Sequence, residues 1–188
     1  MTLKTKKQKE LKYKFLRLVD GKIKSENGNC TWIVGKKKTY KGKISMCESG
    51  FHCSDGVYDA FGYVKGEVLA EVEVGGKSKV EDSKSVWSKM TIKRAWKWEK
   101  KDSVALSIYA AELCIENFEN IYPDDKRPRE AIEAAKKWLK NPTIENKKAA
   151  ESAESAARSA ARSAERSGIF SKIDKWMTDR ISTLTEIK

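Results

Sequence analysis

The stretch EVLAEVEV, residues 67–74, alternates acidic and apolar side chains and lies between Gly66 and the pair Gly75-Gly76. Such alternation is typical of a β-strand, because successive side chains of a strand point to opposite faces. One face carries four apolar residues: Val68, Ala70, Val72 and Val74. The other face carries Leu69 between glutamates. The segment therefore predicts a strand that packs one face on a core and ends at the two glycines.

Segments on both sides of this strand also have strand character. Residues 13–19 and residues 31–34 are rich in aromatic and β-branched side chains, and each run ends at a glycine-containing turn. Residues 40–47 are a further candidate. In residues 85–98 the apolar side chains fall mainly at even positions, so we expect them to share one face of a strand.

The hydrophobic period changes to the helical value after the last of these strands. A helix is predicted at 102–121, with Asp102 or Ser103 as its N-cap, and a second helix at 128–140. A terminal amphipathic helix is predicted at 171–187.

An alanine-rich arm is predicted between the second and the terminal helix, at 143–167. Five of its alanines step by three and four along one helical seam: Ala150, Ala153, Ala157, Ala160 and Ala164. A seam of methyl groups allows a second helix to approach closely. That neighbour is expected either within the chain or in a second copy, which would make a homodimer.

These patterns together predict an α+β protein, with a small mixed or antiparallel sheet domain followed by a C-terminal helical bundle or helical arm. The expected organisation is a basic N-terminal arm at 1–10, a strand-rich basic domain at 11–100 and a helical region at 101–188.

The positive charge is concentrated in the first hundred residues. The net charge is +12, and residues 1–48 alone carry 14 Lys and Arg against 4 Asp and Glu, whereas residues 102–188 carry 15 of each. Such a field favours an anionic partner, although lysine-rich surfaces also serve solubility alone. The candidate binding residues are Lys36, Lys37, Lys38, Lys41, Lys43, His52, Lys93 and Arg94.

Composition and motifs weigh against several classes of protein. No apolar segment resembles a signal peptide or a membrane span, so a cytoplasmic location is expected, with reduced cysteines and no membrane partner. The nucleotide-binding loops, zinc-protease motif and nucleophile elbow of common enzymes do not occur. We therefore expect a non-enzymatic protein without a cofactor.

Residues 45–56 contain the densest cluster of reactive side chains and the single histidine, His52, between Cys47 and Cys53. Zinc sites usually show paired cysteine or histidine spacings, which this segment lacks, so no metal is expected. A cysteine–histidine nucleophile pair stays open as an alternative. The simplest interpretation is a packed turn histidine beside a buried thiol.

The turn CESGFHC at 47–53, followed by AEVEVGG at 70–76, resembles an uncharacterised accessory domain of phage and prophage proteins, over roughly residues 13–100. Residues 126–165, which begin KRPREAIEAA, are similar to alanine-rich helical tails of the same phage genes and of immunity proteins. The resemblance implies a small accessory protein of a mobile element and brings no established reaction.

A second resemblance is to ADP-ribosyltransferases, which carry an early Arg or His, a Ser/Thr-rich turn and a late Glu-x-Glu. Arg17, Ser49, Glu71 and Glu73 follow that order. The resemblance implies that Arg17 holds the phosphates of NAD, that the turn braces the cofactor and that Glu73 stabilises the ribosyl cation.

Three functions follow as hypotheses. The leading one is a phage-type binding protein for counter-defence, an inhibitor of a host nuclease or CRISPR-like system. Its partner would be a host protein, a nucleoprotein or nucleic acid, engaged by the basic domain. The alternatives are an ADP-ribosyltransferase-like enzyme that modifies a host protein and a self-associating structural protein.

Overall fold

The fold is organised around a long β-hairpin that contains the decisive stretch. Strand β6, Val68–Glu81, pairs antiparallel with β7, Lys84–Lys97, from Val68↔Lys97 to Glu81↔Lys84. The computed structural model describes residues 11–27, 30–142 and 168–188. The predicted arms at 1–10 and 143–167 therefore lie outside the described residues, and with them the alanine seam.

The prediction that the strand ends at Gly75-Gly76 is wrong, since β6 continues to Glu81. The register shifts between Gly75 and Ser78, which places one extra β6 residue opposite β7. Gly76 adopts a positive φ of 80°, which glycine accepts without strain, and the Lys77 N–H donates to Ser88 Oγ at 2.8 Å. The two glycines therefore form a β-bulge inside β6, and the strand continues beyond them.

A second bulge corrects the prediction for residues 85–98. Arg94 pairs with Glu71 and Ile92 with Val72, so Lys93 has no opposite residue. The extra residue reverses the alternation, and Met90 and Ile92 share the inner core with Ala95. The apolar residues at even positions therefore do not all share one face.

Five shorter strands complete the sheet: β1 (Leu11–Val19), β2 (Lys22–Lys24), β3 (Thr31–Trp32), β4 (Lys37–Thr39) and β5 (Phe51–Cys53). The strand order is β3-β2-β1-β6-β7-β4, every pair is antiparallel, and β5 pairs with β7 beside β4. The strand expected at 40–47 contains only the isolated bridge Ser45↔Ser49, because the preceding lysines pair with the β7 edge instead.

The sheet curls until its β1 and β5 ends meet. Tyr13 N–H donates to Ser54 O at 2.8 Å, and Ser54 N–H donates to Tyr13 O at 2.9 Å. Ten buried residues fill the enclosed side: Leu16, Ile23, Trp32, Cys53, Val68, Ala70, Val72, Met90, Ile92 and Ala95. Helix α1, Val57–Tyr63, contacts β1, and its Phe61 ring lies edge-on to Phe15 at 5.1 Å.

Contacts divide the chain into a sheet unit, up to Lys97 with Thr183–Lys188, and a helical unit, Trp98–Ser182. In the helical unit, α2 (Lys100–Ile121) packs on α3 (Arg127–Lys140) through Val104, Ile108, Ile115, Ile132 and Ala135. Helix α4, Ile169–Arg180, buries Ile173 and Met177 and stacks Trp176 on Tyr109 at 5.3 Å. The α+β class with an antiparallel sheet and C-terminal helices is confirmed.

Two helix boundaries differ from the predictions. Glu99, not Asp102 or Ser103, is the N-cap of α2, and Asp102 completes its capping box from the third helical position. The terminal helix ends at Arg180 and a 3-10 turn at Ile181–Thr183 follows. Within the sheet unit, the Ile187 N–H donates to Ala95 O at 2.8 Å, so backbone pairing replaces the last predicted helical turn. No helix in the described ranges is long and apolar enough to cross a membrane.

Candidate functional site

Four exposed lysines of the predicted binding set lie on or next to the edge strand β4, with Lys37 in the strand, Lys36 just before it, and Lys41 and Lys43 after it. We call them the lysine edge. None makes an ion pair with a described residue. Lys38 differs, since its Nζ lies 5.7 Å from the centroid of the Trp32 ring. Lysines on an edge strand prevent edge-to-edge aggregation, and the same exposed ammonium groups can attract an anionic partner.

The other two basic residues of that set are already engaged. Lys93 Nζ, at the bulge, lies 3.7 Å from Glu73 Oε2. Arg94 donates two hydrogen bonds of 3.0 Å to the Glu186 carboxylate and lies 4.8 Å from the Trp96 ring centroid. The paired charges raise the pKa of Arg94 and lower that of Glu186. The guanidinium group of Arg94 is therefore already paired with Glu186, near the C-terminus, and is not a free cation.

His52 lies on β5, beside a tight turn held by two backbone hydrogen bonds of 3.0 Å between Ser45 and Ser49. In this turn Cys47 has a positive φ of 62°, and its N–H donates to His52 Nε2 at 2.9 Å. The bond requires an unprotonated Nε2, so the imidazole proton resides on Nδ1. Because this nitrogen is already occupied, it cannot also bind a metal. No group of three metal-ligating residues occurs in the described part of the chain.

The surroundings of the His52 imidazole lower its pKa. The pKa of His52 is lowered from its ordinary 6.5, mainly by burial. The positive charges of Lys14 and, to a smaller extent, Lys84 lower it further. His52 is therefore neutral in the folded protein at pH 7, and as the pH falls below about 6.5 the unfolded chain binds this proton before the folded chain does. Stability should decrease on acidification through this window. Proton NMR of the single imidazole should give a pKa below 6.5 in the folded protein and an ordinary value in urea. A folded value at or above 6.5 would contradict this environment.

A cavity of about 250 Å³ lies beside the Tyr13–Ser54 bridge, and both residues of the bridge line it. We call it the seam cavity. Its polar lining includes Lys14, Lys84, Cys47 and His52, and its aromatic lining includes Trp32, Phe51 and Tyr63. Lys14 Nζ donates to the His52 carbonyl at 2.8 Å, and burial lowers the pKa of this lysine.

Lys84 stands at the same cavity with several partners. Its Nζ lies 3.1 Å from Cys47 Sγ, 3.5 Å from Glu81 Oε2 and 5.4 Å from the Tyr63 ring centroid. The bond to Cys47 is the main cause that raises the pKa of Lys84. Lys84 therefore remains a cation beside an exposed thiol.

The residues that resemble an ADP-ribosyltransferase set are not brought together. Leu11 pairs with Glu73 and Leu16 with Val68, so Arg17 lies about 20 Å along β1 from Glu73. The Arg17 guanidinium contacts Glu67 at 3.1 Å and Glu26 at 3.3 Å. The Ser49 hydroxyl, in the turn, donates to Lys43 O at 2.7 Å.

Sequence reasoning did not single out Lys14 and Lys84. A signal for Lys14 does exist, because it lies two residues before Leu16 and thus on the core face of β1. Lys84 carries no such signal, since its approach to Cys47 depends on the β5–β7 pairing.

Two family models match parts of the chain. Residues 13–102 match a family described as "Domain of unknown function (DUF7666)", and residues 96–168 match one described as "Imm-5 like putative immunity protein". No curated protein and no solved structure matches the chain. The likeness of the C-terminal part to immunity proteins is confirmed. A segment of this kind fits an immunity or inhibitor role, which implies binding to a partner protein.

Proposed function

We propose that this protein is a non-enzymatic inhibitor that binds a partner protein directly, as immunity proteins do, and that the lysine edge contacts an acidic surface of that partner. The observation that carries the proposal is the match of residues 96–168 to the immunity-like family. The lysine edge then supplies the chemistry of recognition, because exposed cations increase the rate and specificity of binding to a surface of opposite charge.

The distribution of ion pairs supports this assignment of the binding surface. In the helical unit, Arg129 Nε donates to Glu119 at 2.6 Å and Lys136 Nζ contacts Glu112 at 2.9 Å, so two cations of α3 are paired with carboxylates of α2. The lysine edge has no such internal partners among the described residues. Its charge therefore remains available for a second molecule.

The finer form of the proposal is counter-defence. The resemblance of the sheet domain to phage and prophage accessory domains suggests that the protein originates in a mobile element. A host nuclease or a CRISPR-like complex is then the target that we propose, with inhibition by occlusion of a working surface. Neither a cofactor nor NAD takes part in this mechanism.

The test combines capture of the partner with two variants of the full chain, each of which loses four positive charges. The first replaces Lys36, Lys37, Lys41 and Lys43 by Gln. The control replaces four exposed lysines that lie outside both the lysine edge and residues 96–168: Lys22, Lys77, Lys79 and Lys172. Tagged protein captures partners from host lysate, with and without added nuclease, and the captured protein is then titrated at two salt concentrations.

The lysine-edge variant should bind the captured protein about 30-fold more weakly than the wild type, since four exposed ion pairs contribute about 2 kcal/mol together. The control should bind within about threefold of the wild type. Equal weakening in both variants would reduce the effect to net charge and contradict the assigned surface. Capture that disappears after nuclease treatment would identify nucleic acid as the partner and reject a protein surface.

A further inference from the structure

Two lysines of β1 face the enclosed side of the sheet. Lys12 and Lys14 alternate in phase with Leu16, which is fully buried. Lysine seldom occupies such positions unless its ammonium group finds a partner. Lys12 has one, because it forms an ion pair with Asp55, whose side chain is largely exposed.

Lys14 has no equivalent carboxylate among the described residues. Its Nζ donates to the His52 carbonyl, a neutral acceptor, at 2.8 Å. The ionisable groups that act on it most strongly are the thiols of Cys53 and Cys30. Burial raises the pKa of the Cys53 thiol, so that this sulfur is uncharged at neutral pH. The charged form of Lys14 therefore lacks a counter-ion in the structure, and burial favours its neutral amine until an anion is present.

This ammonium group lines the seam cavity together with a second cation. Both Lys14 and Lys84 are close enough to His52 for their charges to lower its pKa. Of the described residues that line the cavity, Glu26 is the only carboxylate, and Arg17 contacts it at 3.3 Å. Among the described residues, the lining thus has no free carboxylate to balance a positive charge on Lys14, while Lys84 also contacts Glu81 outside the lining at 3.5 Å.

The remainder of the lining is suited to a flat apolar group. The Trp32 and Phe51 rings meet edge-on at 5.2 Å, and Tyr63 contributes a third ring on the Lys84 side. Trp32 is held in place by a hydrogen bond of 2.9 Å from Nε1 to Ser25 Oγ. Small-molecule sites typically combine apolar walls with a few fixed polar groups in this way. The volume of about 250 Å³ has room for one aromatic ring with one charged substituent.

We propose that the seam cavity binds a small planar organic anion, whose carboxylate or phosphate group supplies the counter-ion that Lys14 lacks and whose ring lies among Trp32, Phe51 and Tyr63. Lys84 adds a second positive charge. This site does not depend on the lysine edge or on any protein partner, so it is separate from the proposed inhibitory function.

The experiment titrates the full chain with benzoate and with phenyl phosphate, and uses benzamide as a neutral probe of the same shape. NMR follows the single His52 imidazole, and fluorescence follows the tryptophans. Three variants accompany the wild type: Lys14→Met, Lys84→Met and Lys12→Met as control. Lys12 shares the strand face with Lys14 but lies outside the cavity lining.

At least one of the two anions should saturate the wild type and raise the pKa of His52, because the bound negative charge offsets the neighbouring lysines. Benzamide should bind about tenfold more weakly or not at all, and Lys14→Met should reduce anion affinity by about tenfold or more. Lys84→Met should have a smaller effect, and Lys12→Met should bind as the wild type does. Absence of saturation by both anions, or equal binding of benzamide by the wild type, overturns the proposal. The wild-type comparison holds even where a variant fails to fold.

Discussion

Replacement of Asp102 by Ala is expected to lower the free energy of unfolding of the helical unit by about 3–4 kcal/mol. The Asp102 side chain is 2% exposed. It accepts the Glu99 N–H at 2.8 Å and completes the N-terminal capping box of α2. Its Oδ1 also accepts Arg180 Nε at 3.0 Å and Nη2 at 2.7 Å, which joins α4 to α2. Alanine leaves a half-buried guanidinium and a helix-terminal donor without these partners at once.

The matched control is Asp179→Ala. Asp179 also bonds a cation, Lys175, at 2.8 Å, but both side chains are mostly exposed. Exposed pairs of this kind contribute little, so the control should change stability by less than about 0.5 kcal/mol. Urea unfolding followed by far-UV circular dichroism measures both variants. If both variants lose a similar amount of unfolding free energy, the burial of Asp102 does not determine how much it contributes to stability.

The parts of the fold that the sequence predicts are those in which local pattern and tertiary packing agree. The alternation at 67–74 identified β6 because its inner face meets a continuous core, and Pro128 marked the start of α3. The bulge at Lys93 left no comparable signal. Its position depends on how β7 meets β6 across the hairpin, and one extra residue is enough to reverse the faces beyond it.

The candidate sites show the same division between local and long-range information. Net charge directed attention to the lysines of 36–43, and four of them are exposed on or next to the edge strand β4. Arg94 shared that prediction, yet its partner Glu186 lies 92 residues away and no periodicity connects the two. The seam cavity likewise brings together residues that are far apart in the sequence, such as Lys14, His52 and Lys84. Contacts of this kind are determined by topology, which composition and spacing do not contain.

Replacement of Gly66 by Ala is expected to cost about 3 kcal/mol and to disturb the junction of β1 and β6. An added Cβ would lie 2.0 Å from Leu16 O and 2.6 Å from Leu16 C, both backbone atoms of β1. No change of rotamer can relieve that overlap, so one strand has to move. Leu16 and its pairing partner Val68 are both fully buried, and any such movement disturbs the inner core.

Gly62→Ala provides the comparison, since it is the same substitution four residues earlier. Gly62 lies in α1, and an added Cβ would meet no atom within 4 Å. Alanine there should stabilise the helix by up to about 1 kcal/mol, because glycine is the poorer helix former. Thermal and urea unfolding of both variants should therefore move in opposite directions from the wild type. If Gly66→Ala instead unfolds within about 0.5 kcal/mol of the wild type, the close approach of residue 66 to the β1 backbone is refuted, because so short a contact cannot be relieved at that cost.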